Sequence, residues 1–311
     1  MDELAGGIRR VTLPLPTRPG HVHSYLLPGE DGWTLVDTGL GLPDARDRWA
    51  AELDGLPGTV ARIVVTHFHP DHIGAARDVA ELTGAPVAQG RLDYEQCVLV
   101  WGNDAWSDVL LEWFRRHGAP DDVTAELVGQ GSVYRPFIRY QPDPDLLDPG
   151  DAVDGWKVVA APGHADGQLM LIRDGVLVAA DHLLDRISPT VGLWPRSRPD
   201  PLGDYLGALE ATIQLAPTVA IAGHGEPVTD PAGRARELLA HHGERLEATA
   251  AALGDEPQSG YDVSFALFGR ELKPSARRFA VAETLSHLER LVLEDKARRE
   301  EDVDRVAYTA A

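Results

Sequence analysis

The chain has 311 residues, with 29 Lys and Arg against 49 Asp and Glu, a formal net charge of −20. Such an excess of acid repels phosphate backbones and anionic membranes at long range, so nucleic acid is the disfavoured partner and no membrane partner is expected. A hydrophobic content of 43% with 31 Gly and 23 Pro is that of a loop-rich globular enzyme, and the single cysteine, Cys97, excludes an intramolecular disulfide framework and fits a reducing, cytoplasmic setting.

The opening MDELAGGIRR carries acid at once and lacks the apolar stretch of a secretory signal, and no apolar run reaches the length of a membrane span. From about residue 8 to 90, RRVTLPL, HSYLL, WTLVDTG and ARIVVTH read as strands and DARDRWAAEL as a helix. IGAARDVAELTG has apolar residues at helical spacing with Gly84 as its stop, and APVAQG is a further strand. Residues 91–133 carry Trp101, Trp106, Leu110, Trp113 and Phe114 at helical spacings with no strand signal. They predict a helical insertion whose aromatics pack on the body, with a lid over substrate as the alternative. Strands resume with PFIRYQ, WKVVAAPGH, QLMLIRD and VLVAADH, followed by a proline-studded loop, SPTVGLWPRSRPDP, a helix from about Leu202 to Leu215 and a last strand, TVAIAGHG. The alternation predicts an α/β layered domain over residues 1–232, two sheets covered by helices on their outer faces. Residues 233–311 read as a small, mainly helical module that ends in a short strand, RVAYTA.

The stretch VVTHFHPDHIGAA, residues 64–76, leaves a strand and turns before a helix. This puts His67, His69, Asp71 and His72 at the carboxyl edge of a sheet, where α/β layers hold ligands. Imidazole nitrogens with a carboxylate suit Zn²⁺, and iron or manganese also fit. His164, Asp181 and His224 each follow an apolar run in the same way, beside small residues such as Gly163, Gly223 and Gly225 that let the backbone turn sharply. Four strand ends with so many donors are enough for two metals. His182 is expected to face away from Asp181, because neighbouring side chains in extended chain point to opposite sides. His21 and His23 read first as ordinary surface or core residues, with an approach to the mouth of the site as the alternative. His117, His241, His242 and His287 lie in helical, charged contexts and are expected to be solvated. Arg196 and Arg198 either recognise an anionic tail or face water.

The motifs HFHPDH, PGH, AADH and GHG, in that order, resemble the ligand set of the metallo-β-lactamase fold superfamily, and the likeness covers residues 8 to about 230. It implies a four-layer αββα sandwich in which His67, His69 and His164 hold a first metal, Asp71, His72 and His224 a second, and Asp181 bridges both. Asp37, in LVDTG, matches a buried acid that supports the site from beneath. The implied chemistry is metal-assisted hydrolysis with two Zn²⁺ per chain: a hydroxide bridging the metals is the nucleophile, and Asp71 orients it or carries a proton to the leaving group. The pairing of His72 with a bridging Asp181 resembles the branch of glyoxalase-II-type thioesterases, lactonases and ribonucleases more than true β-lactamases. Leu184 departs from the tyrosine that acyl-homoserine lactonases commonly place three residues beyond the bridging aspartate. HHGERLEA followed by AETLSHLERLVLEDKARRE resembles the winged-helix module appended to many such hydrolases, including a mitochondrial endoribonuclease. Residues 234–311 contain 12 Lys and Arg against 15 Asp and Glu, with no basic stripe. The expected function is therefore hydrolysis of a small-molecule ester, thioester or lactone. An endoribonuclease is the alternative, and a homodimer is the candidate assembly.

Overall fold

Short, mainly apolar runs build the first sheet of this computed structural model, which describes residues 1–311 apart from the side chain of Gln130. Its strands are β1 (Asp2–Glu3), β2 (Arg9–Pro14), β3 (His21–Pro28), β4 (Trp33–Val36), β5 (Val60–Val65), β6 (Val87–Gly90) and β7 (Asp145–Leu147), side by side in chain order. The first four run antiparallel to their neighbours, and β4 to β7 run parallel. Parallel neighbours need crossovers. Helix α1 (Ala45–Leu53) makes the first, α2 (Pro70–Ile73) and α3 (Ala76–Thr83) the second, and α4 (Arg91–Trp101), α5 (Trp106–Arg116) and α6 (Asp121–Ser132) the third. The second sheet contains β8 (Ala152–Val153), β9 (Trp156–Ala160), β10 (Leu169–Arg173), β11 (Val176–Ala180) and β12 (Val219–Ala222), in the order β12-β11-β10-β9-β8. Only its β11–β12 pair is parallel, joined through α7 (Pro201–Leu215).

Both sheets are apolar on both faces, and that fixes the layering. Val64 of β5 meets Val158, Leu171, Val178 and Ile221 between the sheets, whereas Ile63 and Val65 turn to Trp49 of α1 and Val79 of α3. In β11 the neighbours of Val178, Leu177 and Ala179, face outward into a core shared with α5 to α7 and the C-terminal helices. The result is a four-layer αββα sandwich.

Three helices, α8 (Pro231–Ala251), α9 (Gly260–Phe268) and α10 (Pro274–Leu293), and a hairpin of β13 (Ala297–Glu301) and β14 (Val306–Ala310) complete the chain. Helices α7 and α8 start by the same local device, DPLG and DPAG. In each, the aspartate accepts a bond from the glycine amide three residues on, at 2.8 Å for Asp200 and 2.9 Å for Asp230, and proline fills the first helical position. The expected boundary at residue 232 falls in the first turn of α8. Helix α10 packs on α6, α7, α8 and α9, and its Leu285 and Leu288 share one core with Met170 and Leu177 of the second sheet.

The structure corrects several expectations. PFIRYQ is not a strand: Arg135–Phe137 form a single 3₁₀ turn, and the backbone then bonds to loops, Arg139 N to Gly74 O and Gly41 N to Phe137 O. The strand lies later, in β7, within QPDPDLLDP, where flanking proline and aspartate mask it. His117, His242 and His287 are buried rather than solvated, and His241 is half-buried. The apolar stripes of α8 and α10 close over His242 and His287, and His242 Nδ1 lies 3.3 Å from His287 Nε2. Phe114 of α5 is fully enclosed in the helical core. Truncating such a ring costs about 3–5 kcal/mol, so α5 acts first as a packing helix.

Burial holds the His242 imidazole down at about 3 and that of His287 at about 4, each reinforced by nearby groups, against 6.5 for a free histidine. Below pH 6.5 the unfolded chain takes up protons that the folded chain refuses, so each ring contributes a loss of stability as pH falls from about 6.5 toward 4. The slope is about 1.4 kcal/mol per pH unit per histidine. Denaturant titrations across that window should show a shallower acid-side loss for His287→Gln than for the native chain. Parallel profiles would contradict this assignment.

Candidate metal centre

The carboxyl ends of the strands converge at one edge of the sandwich. After β5 the chain delivers His67, and Pro70 then starts the short α2, so that His69 precedes the helix while Asp71 and His72 sit within it. After β11 the pairing register with β12 slips between Val178 and Ala180, and Ala180 takes a left-handed φ of 45°. A bulge of this kind re-aims the next side chain, and here that is Asp181. His224 follows β12 after Gly223, where a Cβ would stand 2.4 Å from Asp181 Oδ1, so only glycine fits.

Three overlapping trios result: His67, His69 and His164; His67, His72 and Asp181; and Asp71, His72 and His224. Within each trio the donor atoms lie no more than 4.8 Å apart. The structure thus gathers all seven side chains singled out from the sequence. His69 Nδ1 faces His164 Nε2 at 2.9 Å. Asp181 lies between the groups, with Oδ1 3.5 Å from His72 Nε2 and Oδ2 3.5 Å from His164 Nε2 and 3.3 Å from His224 Nε2.

The surroundings decide which nitrogen each ring presents. Asp37, buried at the end of β4, accepts from Thr66 N at 2.8 Å, from Thr66 Oγ1 at 2.7 Å and from His72 Nδ1 at 2.7 Å. Because the Thr66 hydroxyl spends its one proton on Asp37, it can only accept from His67 Nδ1, 3.0 Å away. The Nδ1 atoms of His164 and His224 donate to the carbonyls of Thr190 and His21, each at 2.8 Å. Each of these four rings is therefore turned with Nε2 toward the centre, whereas His69 offers Nδ1.

Burial, together with neighbouring imidazoles, lowers the pKa of His67 far below the ordinary value and takes His69 down to about 3. Burial lowers His164 as well, outweighing the opposite pull of Asp181. The first trio thus holds neutral imidazoles, the form that binds metal. At His72 and His224 burial also disfavours charge, but Asp181 and the other acids overcome it and raise both, His224 to about 10. Buried Nε2 atoms of His67 and His72, and Oδ1 of Asp181, have no hydrogen-bond partner among the described residues. Buried polar atoms are seldom left so. Three unpartnered atoms, all imidazole nitrogen or carboxylate oxygen and from side chains whose donor atoms lie within 4.8 Å of one another, fit bound divalent metal.

Residues 17–224 match the metallo-beta-lactamase superfamily, and residues 246–309 match the metallo-beta-lactamase-like C-terminal domain. The chain belongs to the metallo-beta-lactamase superfamily. A metallo-beta-lactamase family protein from Thermus thermophilus is 35% identical, with a TM-score of 0.85, and the alignment covers 98% of this chain and 99% of that one. A beta-lactamase domain protein from Burkholderia ambifaria is 33% identical, with a TM-score of 0.87 and coverage of 100% and 94%. A probable metallo-hydrolase of Bacillus subtilis is 27% identical over 299 residues, covering 92% of each chain. The metallo-beta-lactamase fold is that of a metal-dependent hydrolase, and this member carries a His and Asp cluster that could hold a metal.

The remaining residues sort themselves around that cluster. His182 turns away from it, burying Nε2 against Thr212 Oγ1 at 2.8 Å. His23 is buried, its Nδ1 3.1 Å from Thr12 Oγ1 and its Nε2 3.0 Å from Gly225 O, while half-buried His21 contributes its carbonyl to His224. Among the described residues no helix is long and apolar enough to cross a membrane.

One supporting residue carried no sequence signal. Asp93, in the first turn of α4, is fully buried, and it accepts from Phe68 N at 3.0 Å and from Gln89 Nε2 at 2.6 Å. Phe68 separates His67 from His69, so this carboxylate pins by its backbone the loop that carries both histidines. In the sequence it looks like any acid opening a helix. Asp93→Ala should weaken metal affinity about 10- to 100-fold with the fold retained, read by competition against a chelator. Unchanged affinity would mean that the loop is held without it.

Proposed function

We propose that this metallo-hydrolase uses two metals, Zn²⁺ by the donor chemistry, to cleave a small-molecule ester, thioester or lactone. The observation that carries the reading is the pair of trios, His67, His69 and His164 beside Asp71, His72 and His224, with Asp181 between them and buried donor atoms left unpartnered. Bound metal would supply an activated water and polarise the oxygen of the bond under attack. The protein's own part is positioning and proton movement. Asp37 and Thr66 hold His72 and His67 in one orientation, and Thr190 and His21 do the same for His164 and His224. Asp71 is the more exposed of the two site carboxylates, 25% against 9% for Asp181, and its Oδ2 lies 3.3 Å from His224 Nε2. Its other oxygen is the natural place to receive a proton and pass it to the leaving group.

Within the superfamily we place the chain in the glyoxalase-II-like branch. The Leu184 side chain is buried and offers no hydroxyl to the site, which argues against the acyl-homoserine lactonase variant. The endoribonuclease reading has one observation in its favour. Residues 231–310 run helix, helix, helix, hairpin, the order of a winged helix. Against it stand 12 Lys and Arg with 15 Asp and Glu over residues 234–311, which give no net attraction for a phosphate ladder.

Elemental analysis of the purified protein should return two metals per chain, and one tightly held metal with no gain on adding zinc would remove the two-metal reading. Asp181→Ala should lose one metal and at least about a hundredfold in turnover, since a bridging ligand serves both positions; retained turnover would show that it does not bridge. A panel of thioesters, lactones and aryl esters, run beside single-stranded RNA at equal metal loading, tests the substrate class. Metal-dependent RNA cleavage without ester turnover would reverse the ranking.

A further inference from the structure

The loop after Asp181 joins the metal cluster to the C-terminal helices. Near one end, the carbonyl of Thr190 holds His164; further on, Leu193 N bonds to Ala282 O of α10 at 2.9 Å. Trp194 is four residues beyond Thr190, so the two Cα atoms are no more than about 14 Å apart. The Trp194 ring stacks on Trp113 of α5 with centroids 5.7 Å apart, and meets Phe279 of α10 edge-on at 5.8 Å. Phe279 is 45% exposed, although it is a large apolar side chain.

Arg278 enters this aromatic cluster. Its guanidinium carbon lies 5.4 Å from the Trp194 ring centroid and 5.1 Å from that of Phe279, and its NH groups press on Gly131 of α6, where an added Cβ would come within 2.5 Å. Tyr134, one turn beyond Gly131, is near enough to act on its charge and sends its hydroxyl toward Thr17 Oγ1, 3.5 Å away. Adjacent Arg277 is fully engaged by Ser264 and Gly269. Among the described residues, Arg278 instead has a buried Nε without a partner and no carboxylate against it. Burial brings it down to about 10, so it is still charged near neutral pH. Cation–π contact with two rings recovers only part of the hydration lost by a guanidinium. Of the two loop arginines suggested by sequence, Arg198 is committed to Asp204 at 2.6 Å and Arg196 faces solvent.

We propose that Arg278, flanked by Trp194 and Phe279 and facing Tyr134, is a subsite for a carboxylate at the end of the substrate remote from the bond cleaved. This rests on the small-molecule hydrolase reading above and gives it a substrate class: acids carrying a scissile acyl group and a second, free carboxylate on an apolar or aromatic spacer. The planar guanidinium matches a carboxylate in two parallel bonds, and the rings cover the spacer. At a net charge of −20 the protein repels anions in general, so a local unpaired cation is what such a substrate would require. The C-terminal module then serves the site by supplying the group that selects the substrate.

The test uses the zinc-loaded protein and two thioesters that differ only in charge, S-phenyl thiosuccinate with its free carboxylate and the corresponding succinamide. The native enzyme should prefer the acid by about tenfold or more in kcat/KM, the worth of one charge-assisted pair. Arg278→Gln should abolish the preference through KM, Arg278→Lys should keep part of it, and Arg196→Gln should leave it intact. A native enzyme without the preference, or an Arg278→Gln enzyme that retains it, overturns the subsite. Absence of turnover with either thioester would count against the hydrolase reading alone. In that case calorimetric titration with 4-phenylbutyrate decides the subsite: binding at least about fivefold weaker in Arg278→Gln supports it, and equal affinity overturns it.

Discussion

Three donors converge on the Asp37 carboxylate, and most of the site's geometry descends from that convergence. The Thr66 amide and hydroxyl fix the chain where β5 ends, and His72 Nδ1 fixes a ring of the following helix. Because the hydroxyl proton is already used, Thr66 can receive only a donor, which sets the tautomer of His67 as well. One buried acid therefore orients a histidine in each trio. Asp37 itself is held in a left-handed conformation, φ 59°, with its amide bonded to Val64 O of the neighbouring strand. Such a backbone persists only where its surroundings over-determine it, and here a β4–β5 pair enclosed by apolar layers does so.

The second sheet contributes by departing from regularity. The register slip in β11, the positive φ of Ala180 and the absence of a side chain at Gly223 bring Asp181 against His72 and His224. Regular strands would send that carboxylate along the sheet face instead. Two well-packed sheets tolerate this local strain because the layers between and outside them are closely filled. The irregular positions at the site sit at strand ends, where the ladder has little left to lose.

The cluster was legible in the sequence because candidate metal ligands form short motifs after apolar runs, and four of them occurred in one order. Layering was legible from the alternation of strand runs such as ARIVVTH and VLVAADH with helical segments. Of the supports only Asp37 was, through the resemblance of LVDTG; the others were not. Thr190 and His21 act through carbonyls, which every residue has, and Asp93 acts through the backbone of Phe68. PFIRYQ misled because its apolar spacing is that of a strand, while its partners are loop atoms of Gly74 and Gly41. β13 escaped notice because ARREE is charged and its one partner strand is β14. His242 and His287 looked solvated amid charged neighbours; the helices bury them because their rings, not the flanking Arg and Glu, fall on the packed stripe.

The same contact set makes the insertion, the loop after Asp181 and the C-terminal helices one side of the site, through α6 against α10 and Leu193 against Ala282. What decides the account is where metal binds. Anomalous scattering from crystals grown with zinc should show two peaks, one within about 2.0–2.2 Å of His67 Nε2, His69 Nδ1 and His164 Nε2, the other at that distance from Asp71, His72 Nε2 and His224 Nε2, with Asp181 touching both. A single peak with one trio left uncoordinated, or a peak away from these side chains, would contradict it.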